Sequence, residues 1–137
     1  MVENTIYITQ VDANRIRELQ RISQYTSYYN SPYLEKVNEE LGRAIIVESK
    51  NIPPDVITMR STAALADTET GEKMIYTLVF PADADLSLGR ISILEPIGAD
   101  MLGYHVGDTF ECDTPNGKRR IHIERIIFQP ETIGDFN

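Results

Sequence analysis

The sequence predicts an α+β chain: a short antiparallel helical hairpin over residues 1–52, then a twisted antiparallel β-sheet carrying one short helix over residues 53–137. Three observations carry that prediction. Two helix-start signals, Thr9 and Ser31-Pro32, precede apolar residues at helical spacing. Pro53-Pro54 then forbids any continuation of a helix. Beyond the prolines, apolar residues alternate at period two between turn signals.

Thr9 followed three residues later by Asp12 has the side-chain logic of a capping box, with Asp shorter than the usual Glu or Gln. Ile16, Leu19 and Ile22 repeat at spacing three, so an apolar stripe runs down a first helix from about Val11 to Tyr25. At 1.5 Å per residue such a helix is only about 20 Å long. Ser31 is an N-cap and Pro32 a first helical residue. After them Leu34, Val37, Leu41 and Ala44 or Ile45 keep the three-four spacing of a coiled-coil seam. A short loop makes the two helices pack antiparallel, in a stub reaching about Glu48 with its own apolar cluster. Gly42 inside the second helix costs about 1 kcal/mol relative to alanine.

After the linker Asn51 to Asp55, the pattern predicts a strand from Val56 to Leu65, a turn around Thr68 to Gly71, and a strand from Lys73 to Phe80. Asp83-Ala84-Asp85 falls in the next loop. Ile91 and Ile93 alternate with Ser92 and Leu94, so that parity places Leu94 on the solvent side of a further strand. Pro96 and Gly103 bracket a short helix, with Ile97, Met101 and Leu102 available to face the sheet. Gly107-Asp108 turns the chain into Thr109 to Asp113. Asn116-Gly117 is a strong hairpin signal, with a return strand from Lys118 to about Phe128.

A chain of 137 residues buries one good core, or one core plus a small appendage. Its 42% hydrophobic and 25% charged residues are ordinary for a soluble globular protein. No apolar run approaches the roughly 20 residues needed to cross a bilayer, no secretory signal is visible, and the lone Cys112 excludes an internal disulfide, so a cytoplasmic protein with no membrane partner is expected. The net charge of −8 is uneven: residues 1–52 hold seven acids and six bases, residues 53–137 fourteen acids and seven bases. A nucleic-acid binder needs a basic surface to displace counterions. Only Lys118-Arg119-Arg120 offers one, and a short charge run beside a turn is more often a solvated hairpin end. The acidic balance argues for a protein partner, without direct nucleic-acid binding.

Cys112, His105 and His122 invite a metal or nucleophile reading. Hairpin alternation puts Phe110 and Cys112 on one face, as it does Ile121 and Ile123, and sends His122 with Glu124 to the other. Cys112 is therefore expected to be buried and inert. No Gly-rich phosphate loop, zinc spacing or G-x-S-x-G motif occurs, and the chain is expected to hold no metal or cofactor and to have no catalytic residues.

The stretch from Leu88 to Arg125 resembles the C-terminal domain of the bacterial transcript-cleavage factors, the Gre family. That pattern runs as I-S-x-x-S-P, a short helix, L-x-x-x-x-x-G-D, then T-P-x-G and a final strand. Here it falls on Ile91, Ser92, Pro96, Leu102, Gly107, Asp108, Thr114, Pro115 and Gly117. Further matches are Pro54 to Met59, Thr77 to Pro81, and Gln129-Pro130-Glu131 with Gly134-Asp135. The chain looks like a short member of that superfamily.

The resemblance implies an FKBP-like fold for residues 53–137 and a monomeric regulator that docks at the rim of the RNA polymerase secondary channel, competing there with cleavage and elongation factors. It implies docking residues at Ser92, Leu94, Glu95 and Pro96. Leu94 stands where a polar residue is expected and Glu95 replaces a serine, and an exposed Leu94 would serve as an apolar contact. The loop Tyr25 to Asn30 lacks the acidic pair with which the cleavage factors hold Mg²⁺, so no transcript cleavage is expected. Glu35, Glu39 and Glu40 lie beyond it on the second helix, where a solvated face is the ordinary reading. Tyr28 and Tyr29 form either a contact surface at the tip or part of the hairpin's own packing, and Tyr25 and Tyr33 have the reading of caps on that packing. The alternative takes the FKBP-like fold literally, as a peptidyl-prolyl isomerase or chaperone. Against it stand the absence of Trp and of an aromatic cluster in residues 53–137, where only Tyr76, Phe80, Tyr104, Phe110, Phe128 and Phe136 are available.

Overall fold

A computed structural model describes residues 4–136. A first helix, α1 (Gln10–Ser23), opens where expected, with the Asp12 N–H donating to Thr9 Oγ1 at 3.0 Å. The reciprocal half of a capping box is not what Asp12 does. Its carboxylate, on a residue 3% exposed, accepts the Met59 N–H at 3.1 Å and ties α1 to a distant segment. The second helix, α2 (Pro32–Arg43), begins as predicted, with Ser31 Oγ accepting from the Leu34 N–H at 3.3 Å.

Both helices end earlier than their apolar spacing suggested. Past Arg43 the backbone of Ala44 is extended, and Ile45–Val47 forms a strand, β2, paired in parallel with β1 (Tyr7–Thr9). This strand corrects the expectation of helix to about Glu48. The run Ile45-Ile46-Val47 is β-branched throughout, which suits a pleated strand better than a helix once a partner strand is at hand.

Nor do the helices keep an apolar cluster of their own. Ile8, Ala13, Ile16, Leu34, Val37 and Leu41 belong to one core with Ile57, Leu65, Leu78, Met101, Ile121 and Ile123. On α1 the stripe weakens toward the loop: Ile16 is fully buried, Leu19 packs partly, and Ile22 is exposed. Gln20 reaches across to α2, donating to Asn38 Oδ1 at 2.8 Å.

The sheet has the order β5-β4-β3-β7-β6, with β3 (Thr62–Asp67), β4 (Lys73–Val79), β5 (Arg90–Ser92), β6 (Thr109–Thr114) and β7 (Gly117–Phe128). It is mixed, not antiparallel throughout as expected. Strand β5 lies parallel to β4, Leu78 opposite Ile91, after two single 3-10 turns and a left-handed Gly89 (φ 72°) return the chain to the sheet edge. Alternation reports which face a residue takes, not the direction of its strand.

The third strand starts at Thr62, later than Val56, because Thr58 to Ser61 is a turn. The Ser61 N–H donates to the Thr58 carbonyl, Ser61 Oγ accepts from the Thr58 N–H, and Arg60 is left-handed at φ 69°. Two register shifts against β7 bend this central strand around the core. The β6–β7 hairpin forms where the sequence signals it, but Thr114 pairs with Gly117, so Pro115 and Asn116 make the turn and Gly117, at φ 114°, opens the return strand one residue before the expected Lys118.

The short helix, α3 (Pro96–Met101), also matches its sequence signals, and Ile97, Met101 and Leu102 are buried. Its backbone comes so close to the end of β5 that a Cβ on Gly98 would stand 1.9 Å from the Ser92 carbonyl oxygen. No side chain fits there.

Two stability predictions follow from these contacts. Gly98→Ala should lower the unfolding free energy by about 2 kcal/mol or more, because backbone must move on both sides of the contact. A shift in thermal midpoint no larger than that of Gly42→Ala, where nothing lies within 4 Å of the added Cβ, would contradict it. Burial is the main cause that raises the Asp12 carboxyl to about 6, opposed chiefly by the Met59 N–H. With the folded value above the ordinary one, its contribution to stability is complete below about pH 4 and lost as pH rises through 6. Asp12→Asn, which keeps an acceptor for Met59, should flatten that loss in denaturant titrations across pH 4 to 8, whereas Asp12→Ala should destabilise by about 1–3 kcal/mol at every pH.

Candidate functional site

The segment Ser92 to Pro96 is a tight turn joining β5 to α3. Ser92 holds it from within: its Oγ accepts the Leu94 N–H at 3.0 Å and its carbonyl accepts the Glu95 N–H at 3.0 Å. Because the strand stops at Ser92, its parity does not extend to Leu94. That leucine is turned inward, 8% exposed and part of the core, which corrects the expectation of an exposed apolar contact. Ser92 is buried too, while Glu95 and Pro96 are half-buried and carry the accessible surface of the turn.

The loop between α1 and α2 separates its tyrosines. Tyr25 is 80% exposed and Tyr29 63% exposed, while Tyr28 and Tyr33 are half-buried against the core. Tyr33 therefore fits the reading of a cap, and Tyr25 does not. Asn30 closes the loop in a left-handed conformation, φ 64°.

The structure brings the tip and the turn together. Ser27, Tyr28 and Ser31 form one wall of a cleft of about 340 Å³, and Pro81, Ala84, Ser92, Leu94 and Glu95 line the rest. Two groups of residues some sixty positions apart thus share one concave surface. Sequence reasoning treated them as separate sites, and it missed Gly98, whose contact fixes the height of the turn above the helix. The available signal was a glycine inside a helix of one to two turns, where alanine would be favoured unless a close approach forbids it.

A second cleft, of about 380 Å³, opens where α2 faces α3 and β6, lined by Pro32, Tyr33, Glu35, Lys36, Glu39, Asp100, Glu111 and Asp113. Glu35 and Glu39 stand on its wall. Glu40 sits beside it, paired with Lys36 at 3.2 Å and with Arg43 at 2.7 Å. Asp100 is buried, and desolvation lifts its carboxyl to about 7 against the pull of Lys36.

The residues that invited a catalytic reading do not meet. Cys112 is buried, and that burial pushes its thiol up to about 11. His122 lies opposite Thr109, one position out of phase with the Phe110–Ile121 pair, and its Nδ1 is 2.9 Å from Thr109 Oγ1. His105 instead stacks edge-on against Tyr7 at 5.4 Å. The basic run is matched by acids: Lys118 with Asp113, Arg119 with Asp67 and Glu72, Arg120 with Glu111. Of the aromatics, Phe110 is buried, and Tyr76, Phe80 and Tyr104 pack partly against the core, whereas Phe128 and Phe136 are exposed.

Comparison with known proteins identifies the family. A family model described as "Transcription elongation factor, GreA/GreB, C-term" matches residues 52–128. The chain is 34% identical over 137 residues to the "Regulator of nucleoside diphosphate kinase" of Escherichia coli strain K12, covering 99% of this chain and 98% of that one. It is 31% identical over 96 residues to the "Transcription elongation factor GreA" of Pelobacter propionicus, covering 70% of this chain and 61% of that one. Among solved structures, the "Prokaryotic transcription elongation factor GreA/GreB from Nitrosomonas europaea" superposes with a TM-score of 0.72 at 36% identity, over 90% of this chain and 100% of that chain. The chain belongs to the GreA/GreB family of transcription elongation factors.

Proposed function

We propose that this protein is a bacterial transcription regulator that binds RNA polymerase at the rim of the secondary channel, competes there with cleavage and elongation factors, and does not itself stimulate transcript cleavage. Family membership supports the class of function. The observation that carries the finer reading is the single cleft shared by Tyr28 and by Ser92, Leu94 and Glu95. Within the docking turn Ser92 and Leu94 act from beneath, setting its shape, and Glu95 and Pro96 touch the partner. Tyr29, at the exposed tip, adds an aromatic contact of the kind enriched at protein interfaces. The acid-paired Lys118 to Arg120 run and the net charge of −8 support a protein partner over nucleic acid. On this reading the protein works as a monomer in the cytoplasm and needs no cofactor.

The direct test is binding to purified core RNA polymerase. Glu95→Arg should weaken it about tenfold or more, mainly through a slower on-rate with altered salt dependence, as expected of a half-buried interface charge. Tyr29→Ala should raise the off-rate by a smaller factor. Leu94→Asp would place a charge in the core and is expected to lower the thermal midpoint, so it reports on folding, not docking. Unchanged affinity in the folded Glu95 variant would put the docking surface elsewhere.

The absence of cleavage activity follows from the tip, where residues 24–31 contain no carboxylate to share a metal ion. In a stalled elongation complex the protein should leave transcript cleavage at the polymerase's own rate. Stimulated cleavage that disappears on changing Glu35 or Glu39 to alanine would overturn this part of the proposal.

A further inference from the structure

We propose that the cleft between the tip loop and the Ser92 to Pro96 turn is a receptor for one arginine side chain, its guanidinium held by the Glu95 carboxylate and stacked on the Tyr28 ring. This deepens the docking reading and rests on it, since the arginine is one of RNA polymerase. The observation that carries it is an acid left unanswered in a shaped surface. Glu95 is half-buried in the wall of the 340 Å³ cleft, and among the described residues no ion pair or hydrogen bond reaches its carboxylate. Only its backbone is engaged, the N–H donating to the Ser92 carbonyl and the carbonyl accepting the Ala99 N–H. A cation arriving there meets a carboxylate at reduced dielectric and has no pair within the protein to break.

The charges around the cleft select the sign of the occupant. On the loop side, residues 22–34 contain no charged side chain, so nothing there competes for the carboxylate. On the other side, the segment from Pro81 to Pro96 holds Asp83, Asp85 and Glu95 against Arg90, whose charge acts on Asp85. An anion is repelled and a cation is drawn in.

The uncharged walls select which cation. Tyr28 packs against the core, so its ring is already placed before anything binds. Pro81 and Ala84 offer an apolar surface for a methylene stem, and the Ser27 hydroxyl is an acceptor at the rim. A planar guanidinium can lie on an aromatic face while its edge forks to a carboxylate, whereas an ammonium is a compact, strongly hydrated point charge. One carboxylate with a few hydroxyls falls short of the roughly six oxygen donors that a divalent cation takes.

The test first locates the contact. With a photo-crosslinking benzoylphenylalanine in place of the exposed Ser27, the full chain bound to purified core RNA polymerase should crosslink to a segment with an arginine within a few residues of the mapped position. Glu95→Gln should weaken binding about tenfold and flatten its salt dependence. Tyr28→Phe, which keeps the ring, should bind within about twofold of wild type, and Tyr28→Leu should weaken binding about three- to fivefold. Changing the mapped polymerase arginine to glutamate should restore the binding lost in Glu95→Arg. Changing it to lysine should leave the wild-type protein binding several-fold more weakly. No crosslink from a complex that still forms would overturn the docking reading and this inference together. A crosslink to a segment without arginine, or a Glu95→Arg defect that the reversed polymerase charge does not rescue, would overturn the arginine receptor alone and leave docking at the cleft standing. The crosslink and the charge exchange decide the matter even if Tyr28→Leu fails to fold.

Discussion

One buried carboxylate ties the first helix to the turn from which the central strand starts. Asp12 lies in the first turn of α1, and its Oδ2 accepts the Met59 N–H inside the protein, where an unanswered backbone donor would cost about 1–3 kcal/mol. Met59 sits in the left-handed turn that starts β3, and the same turn collects the far end of the chain. Thr58 donates to Glu131 at 2.7 Å, Arg60 pairs with Asp135 at 2.9 Å, and the Gln129 amide donates to the carbonyls of Pro53 and Val56. Residues near the beginning, the middle and the end of the sequence are thus fixed to one short segment.

Backbone bonds finish what Asp12 begins. The Tyr7 N–H donates to Gly103, the Gly103 N–H to Ile57, and the Ile45 N–H to Ile6, so β1 and β2 are seated against the end of α3. A Cβ on Gly103 would lie 3.0 Å from Ile6 Cβ and 3.1 Å from the Tyr7 carbonyl oxygen, which explains a glycine there beyond its positive φ. The first half of α1 and the apolar face of α2 are held by the common core, and both helices are held at their base by this clasp.

The features legible in the sequence were those with a local cause. Thr9, Ser31-Pro32, Pro96 and Gly103 each act on backbone within a few residues, and each does what its type dictates, while Asn116-Gly117 marks the hairpin one residue past its turn. What the sequence hid was set by partners far away. Ile45 to Val47 leaves the helix because Tyr7 to Thr9 offers a strand, and β5 lies parallel to β4 because of the path taken by residues 80–89. Leu94 was misplaced by carrying strand parity two residues beyond the last strand residue, into a turn governed by Ser92. Asp100 read as one more acid of an acidic chain, since nothing nearby in sequence announces that Lys36 and Glu40 will stand over it.

The shared core also bears on how a short hairpin can act. A long coiled-coil finger has a seam of its own and can carry its tip away from the domain that anchors it. Here Ile16, Leu34, Val37 and Leu41 have only the sheet's core to complete their burial, so moving the helices outward would expose them together, at about 1.5–3 kcal/mol for each large side chain. The tip therefore stays beside the Ser92 to Pro96 turn, with Tyr28 against the core and Tyr25 and Tyr29 exposed. Under the proposed function, a protein built this way acts where it docks. It blocks a site by occupying it and presents aromatic surface at the channel mouth, whereas a chemical role would require carboxylates delivered deep inside.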